Sequence, residues 1–135
     1  MQQRDYLMRQ FEQLGIVLAA LMGFRAKGEY LKGIEIINEA YDEIPGFDPE
    51  LLHLEDPGEF LTKVLELKQN SYEKLNLIGN FLFEEAEFLI LSGDGEKAAD
   101  RYRKSLCLLE YLDRNEKIFS MERNQKIIRI RKMLG

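Results

Sequence analysis

The sequence predicts an all-α protein of about six helices, paired as antiparallel hairpins. Three observations lead there. Leu, Ile, Glu and Lys are abundant, while only three prolines and no tryptophan occur; that mix favours helix. Apolar residues recur at three- and four-residue steps, and no stretch alternates as a strand would. Turn and cap signals (Lys27-Gly28, Pro45-Gly46, Asp56-Pro57-Gly58-Glu59, Ser92-Gly93-Asp94) divide the chain into helix-length pieces. A generic helical bundle is the alternative architecture. At 135 residues, with 45% hydrophobic and 32% charged positions, the chain suits one domain spanning 1–135. Folding at that size buries roughly two-thirds of the unfolded surface.

The first helix is expected over 3–25. Tyr6, Leu7, Phe11, Leu14, Val17, Leu18, Leu21 and Phe24 form one face, widened by Met8, Ile16, Ala20 and Met22. A stripe that broad predicts burial on more than one side, at the centre of the fold or in an oligomer interface. Gly28 suits the left-handed residue past a helix end. The second helix, 29–44, turns Tyr30, Ile34, Ile37, Ala40, Tyr41 and Ile44 inward and stops at Pro45-Gly46, closing a hairpin over 3–44. An irregular connection covers 45–56, with room for one turn near Pro49.

Asp56 then reads as a cap, Pro57 as the first helical residue and Glu59 as the third. The short third helix, 57–68, buries Phe60, Leu61, Val64 and Leu65, and Gln69-Asn70-Ser71 reads as a turn. The fourth helix, 72–91, carries Leu75, Ile78, Leu82, Ala86 and Leu89, broadened by Phe81, Phe83 and Ile90. Asp94 caps the fifth, 95–112, with Ala98, Ala99, Tyr102, Leu106, Leu109 and Leu112 inward; together these form a hairpin over 72–112. The sixth, 115–134, presents Ile118, Met121, Ile127, Ile128, Ile130 and Leu134.

The segment from Leu82 to Leu106 resembles a tetratricopeptide repeat. Ala86 stands at the small position of the first helix and Gly93-Asp94 at the turn. Ala98 and Ser105 stand at the small positions of the second helix, and Tyr102 at its aromatic. Small side chains let two helix backbones approach, and glycine permits the reversal. The N-terminal hairpin is a weaker echo. Gly28, Gly33, Ile37, Ala40 and Pro45 fall at equivalent places and Phe24 at the aromatic one, but Leu21 replaces the small residue. In the later unit Glu110 replaces the helix-ending proline. The two turns are 65 residues apart, close to two repeat lengths of about 34. The segment from Gln3 to Arg9 also resembles a family of small bacterial proteins without an assigned activity, which implies no function.

The tetratricopeptide resemblance implies a right-handed stack whose first helices line a concave groove for a protein or peptide. Carried onto this chain, the groove-lining residues are Leu18, Met22 and Arg25 from the first helix. From the fourth they are Phe83, Glu87 and Ile90. The Lys/Asn/Arg set that grips a C-terminal carboxylate in some members is not among them, so that ligand is not expected. The third or sixth helix could instead fill the groove.

The net charge is −5, unevenly spread. Ten acidic residues and one basic lie between Glu29 and Glu59, and five basic and one acidic between Glu122 and Gly135. These ends are expected to be solvated faces, or to attract one another within the fold or across a dimer. Nucleic-acid binding by the sixth helix finds little support: the total charge repels phosphate and no RNA-binding aromatic motif accompanies the cations.

The longest apolar run, Leu14 to Phe24, has eleven residues, against the roughly 20 a membrane span needs. Its flanks do not suit a signal peptide, and no membrane partner is expected. The lone Cys107 lies in an apolar stretch and reads as a buried, inert thiol. These features suggest a cytoplasmic protein.

Chemistry-bearing residues are few. Glu50 and His53 share the Glu-x-x-His spacing of di-iron bundles, but such sites need two of these motifs and further carboxylates, and His53 is the sole histidine. Glu84, Glu85 and Glu87 read as a solvated face, and Glu87 reads alternatively as a polar group in the groove. Ser105 is explained by packing, and the glycines around Asp94 by a hairpin turn rather than a phosphate loop. No catalytic residue, metal ligand or cofactor site is expected. The expected role is a non-enzymatic protein-interaction or homodimer module. The alternatives are a small enzyme or ligand-binding bundle using Glu87 and Tyr102, and a nucleic-acid-associated regulator.

Overall fold

The computed structural model describes residues 2–68 and 70–135. All regular structure among them is helical: α1 (Gln2–Ala26), α2 (Tyr30–Glu43), a 3₁₀ turn (Pro49–His53), α3 (Pro57–Leu65), α4 (Tyr72–Ser92), α5 (Gly95–Asn115) and α6 (Met121–Leu134). None is long and apolar enough to cross a membrane.

Two turns of the same construction set the frame. At the end of α1, Glu29 N–H donates to Phe24 O at 2.9 Å and Gly28 N–H to Arg25 O at 3.2 Å. At the end of α4, Asp94 N–H donates to Leu89 O at 2.9 Å and Gly93 N–H to Ile90 O at 3.2 Å. Both are Schellman closures around a left-handed glycine, with φ 74° at Gly28 and 92° at Gly93. The residue after each glycine leads directly into the next helix. Asp94 caps it by accepting from Lys97 N–H at 3.1 Å; Glu29 makes no such bond.

Small residues follow at matching distances. Gly33 and Ala98 lie five positions past their turns, and Ala40 and Ser105 twelve; all four are buried. A Cβ on Gly33 would fall 2.4 Å from the Phe88 ring, so its absence lets α2 press onto α4. Ser105 Oγ donates to Gly79 O at 2.8 Å where α4 and α5 cross.

The central helix is α4, packed against α1, α2 and α5. Of the two placements expected for α1, the centre of the fold therefore belongs to α4 instead. Leu14 and Leu21 are buried and Phe11, Val17, Leu18 and Phe24 pack partly against the core, but Tyr6, Met8, Ile16 and Met22 are exposed. Among the described residues the α1 stripe packs chiefly on α2 and α4, and no element covers its outer side.

Three other boundaries shift for local reasons. α3 ends at Leu65 rather than Lys68, because Asn70 Nδ2 donates to both Val64 O and Leu65 O at 2.9 Å and terminates it. Gln69, expected in the same turn, lies outside the described residues. α5 runs on to Asn115, as a chain with Glu110 in place of proline can. α6 begins at Met121, where Ser120 Oγ accepts from Arg123 N–H at 3.1 Å. Residues 116–120 are therefore a connection, tied down by Arg123 donating to Glu116 Oε1 (2.8 Å) and Ile118 O (3.2 Å). Ile118, Met121 and Ile128, expected on the apolar side of the sixth helix, are exposed.

Candidate functional site

α1, α4 and α6 run in the same direction. The start of α1 (Arg4 to Phe11) lies beside Ser71 and Glu73, and its last turn beside Glu84. Lys126 of α6 meets Asn80, and Arg129 meets Glu87. A groove of about 580 Å³ runs among the three helices. Gly15, Leu18, Ala19, Met22 and Arg25 form one wall, Glu122 and Lys126 the other, and Asn76, Leu77, Asn80, Phe83 and Glu84 the floor.

Of the residues named for a groove, Leu18, Met22, Arg25 and Phe83 lie together here. Glu87 lies at one end, 3.8 Å from Arg25. Ile90, a turn further along α4, is not part of the lining. α6 does not fill the groove but walls it, and α3 packs elsewhere, against α5 and the 3₁₀ turn. Phe83 is only 7% exposed; it stacks edge-on against Tyr102, and the Lys126 ammonium lies 5.5 Å from its ring centroid. It is floor rather than contact surface.

Sequence reasoning missed Asn76, Leu77, Asn80 and Lys126. No signal marks them, because they line the groove only through the placement of α6. The Asn80 side chain is occupied, donating to Asn76 O at 2.8 Å and accepting from Lys126. The exposed Asn76 amide is directed to no other side chain among the described residues.

The three glutamates of α4 are not a solvated face. Glu84 is buried and accepts from Arg25 Nη1 at 3.0 Å. Burial raises its carboxyl above the ordinary range, against the opposing pull of Arg25 and Lys126. Glu87 accepts from Tyr102 Oη and from Arg129 Nε at 3.1 Å. Burial, then the bond to Glu87, raises the Tyr102 phenol. Glu85 has no exposed surface. Its Oε1 accepts from Tyr41 Oη and Arg101 Nε, both at 2.7 Å, while Oε2 has no partner. Arg101 and Lys104 also flank Asp100, and Lys104 Nζ donates to Leu52 O at 2.8 Å, tethering the 3₁₀ turn to α5. The opposite charge for these glutamates sits on other helices, so the triplet read alone as a polar face.

The basic C-terminal helix answers acids of α4, of α5 and of the connection after it, not the acidic stretch 29–59. Arg123 pairs with Asp113 and Glu116, Arg129 with Glu87 and Arg131 with Glu110, while Lys126 pairs with Glu122 on its own helix. Four of its five cations therefore have acidic partners within the fold.

Glu50 and His53 stand 3.8 Å apart on the exposed 3₁₀ turn. Among the described residues no group of three or more His, Cys, Asp or Glu side chains is placed to hold a metal ion. Cys107 is half-buried, and burial raises its thiol, which suits an inert role. No family model matches this chain, and no curated protein or solved structure matches it either.

Proposed function

We propose that this chain is a non-enzymatic protein-interaction module of tetratricopeptide-like build, whose α1–α4–α6 groove receives an apolar segment of a partner protein. The groove carries the reading. Three parallel helices frame it, Leu18, Met22 and Leu77 line it, and the Asn76 amide can hydrogen-bond an extended main chain. Its charges balance, with Arg25 and Lys126 set against Glu84 and Glu122, so it selects apolar contact rather than a strongly charged ligand. The paired Schellman turns and the packing of α4 against both helices of the first hairpin support the repeat-like build.

Selection from a random peptide library tests the reading. Peptides with a shared apolar anchor should be enriched, and Asn76→Arg, which fills the groove from an exposed position, should abolish their binding without changing the melting temperature. Failure to enrich such peptides, or binding indifferent to Asn76→Arg, would refute it. Phe83→Asp is a poor probe, because so buried a residue reports on folding.

A further inference from the structure

α1 leaves its outer side uncovered. At 100° per residue, Leu14 and Leu21 point inward while Glu12, Ile16, Ala19 and Gly23 share the opposite side. Ile16 is 63% exposed and Met22, at the edge toward the groove, 65%. No charged residue occurs from Gln13 to Phe24, so roughly 18 Å of outward helix surface is neutral and largely apolar. Charge returns only at the ends, with exposed Arg9 and Glu12 before it and exposed Lys27 and Glu29 after it.

We propose that this face is a self-association surface on which a second copy of the chain docks its own α1, antiparallel, about a two-fold axis at Ala19. The sequence of the face is its own complement in that direction. With Ala19 opposite the partner's Ala19, Ile16 meets the partner's Met22. Gly15 meets the partner's Gly23, and a Cβ at either glycine would find nothing within 4 Å inside the chain. At the ends, Glu12 approaches the partner's Lys27 and Arg9 approaches the partner's Glu29. Each pair of opposite charges occurs twice by symmetry, as an isologous contact requires. A parallel arrangement would instead set Glu12 against the partner's Glu12 and Arg9 against the partner's Arg9. Charge complementarity therefore selects a second copy, and its direction.

The face differs from the groove floor but shares Gly15, Ala19 and Met22 with the groove wall, so a docked copy and a bound peptide would compete along that edge. Sedimentation velocity of the full chain across micromolar concentrations should show a monomer–dimer equilibrium. Ile16→Glu should weaken it at least 100-fold with helicity retained. Glu12→Lys should weaken it, and Glu12→Lys with Lys27→Glu should restore it. In a Cys107→Ser background, Ala19→Cys should form an intermolecular disulfide under mild oxidation, whereas Glu35→Cys on α2 should not. The disulfide decides the matter should Ile16→Glu fail to fold. A chain monomeric throughout, a dimer indifferent to Ile16→Glu, or equal cross-linking of both cysteine variants would overturn the proposal. Asn76→Arg should lose peptide binding but keep the dimer, and Ile16→Glu should lose the dimer but still bind peptide as a monomer, so either idea can fail without the other.

Discussion

Arg101 Nε lies 2.7 Å from Glu85 Oε1 in the interior between α4 and α5, and Tyr41 of α2 completes the group from the other side. One carboxylate thus ties together three helices. Its cost is visible in Glu85 Oε2, which is buried without a partner. Breaking such a group on one side strands a charge, whereas replacing the whole by apolar side chains removes the penalty. Glu85→Ala should lower unfolding free energy by up to about 3–5 kcal/mol, reduced by the partner that Asp100 still offers Arg101. The triple variant Tyr41→Phe, Glu85→Leu, Arg101→Met should recover most of that loss. Urea denaturation of both proteins measures it; a triple variant as unstable as Glu85→Ala would show that the ions are needed for the packing itself.

The same group predicts an alkaline limit. Burial first, and then the Glu85 charge and hydrogen bond, raise the Tyr41 phenol well above its ordinary value of 10.0. The unfolded chain therefore loses this proton first as pH rises. The contribution is complete below pH 10 and is lost progressively above it, at up to about 1.4 kcal/mol per pH unit for the one proton. Tyr41→Phe should be less stable at pH 7 through the lost bond, yet its stability should fall less steeply above pH 10. Denaturation midpoints between pH 8 and 11 compare the slopes; parallel curves would exclude Tyr41 as the group responsible.

Gly33 illustrates a residue that local preference disfavours and packing requires. Alanine in mid-helix is ordinarily better than glycine by about 1 kcal/mol. Here the added Cβ would meet the buried Phe88 ring at 2.4 Å. Overpacking of this kind costs about 1–3 kcal/mol, so Gly33→Ala should destabilise, and Gly33→Ala with Phe88→Leu should be the more stable of the two. Thermal melts of the pair decide; a stabilised single variant would mean that α2 can shift away from α4 at little cost.

The two hairpin turns should respond alike. Gly28 and Gly93 both hold positive φ with open space around the missing Cβ, so the cost of a side chain is conformational. Gly28→Ala and Gly93→Ala should each cost about 1–2 kcal/mol, with helicity retained. Denaturation midpoints differing by more than that range would show that the turns carry unequal strain despite their matching hydrogen bonds.

Helix identity and most boundaries were legible in the sequence because their causes are local. Asp56-Pro57, Ser71, Asp94 and the two left-handed glycines act within a few residues of themselves, and apolar spacing reports the buried face directly. Ala86, Ala98 and Tyr102 were legible for the same reason, as buried members of the apolar stripes of their helices. Leu18, Met22, Arg25 and Phe83 were named from the repeat resemblance and not from spacing, which contains no geometry between helices.

Everything that depends on a partner distant in sequence was settled by long-range packing. Glu84, Glu85 and Glu87 look like a wet helix face until Arg25, Tyr41, Arg101, Tyr102 and Arg129 arrive from four other helices. Lys126 and Asn76 became groove residues only when α6 lay alongside α4. The start of α6 also moved, since 116–120 is held by Arg123 rather than by its own helical preference. Local sequence dictates which segments are helical and which side of each prefers the core. Where those sides meet, and so which apolar face of α1 was left uncovered, was settled by long-range packing and charge pairing, whose energies are written in no single segment.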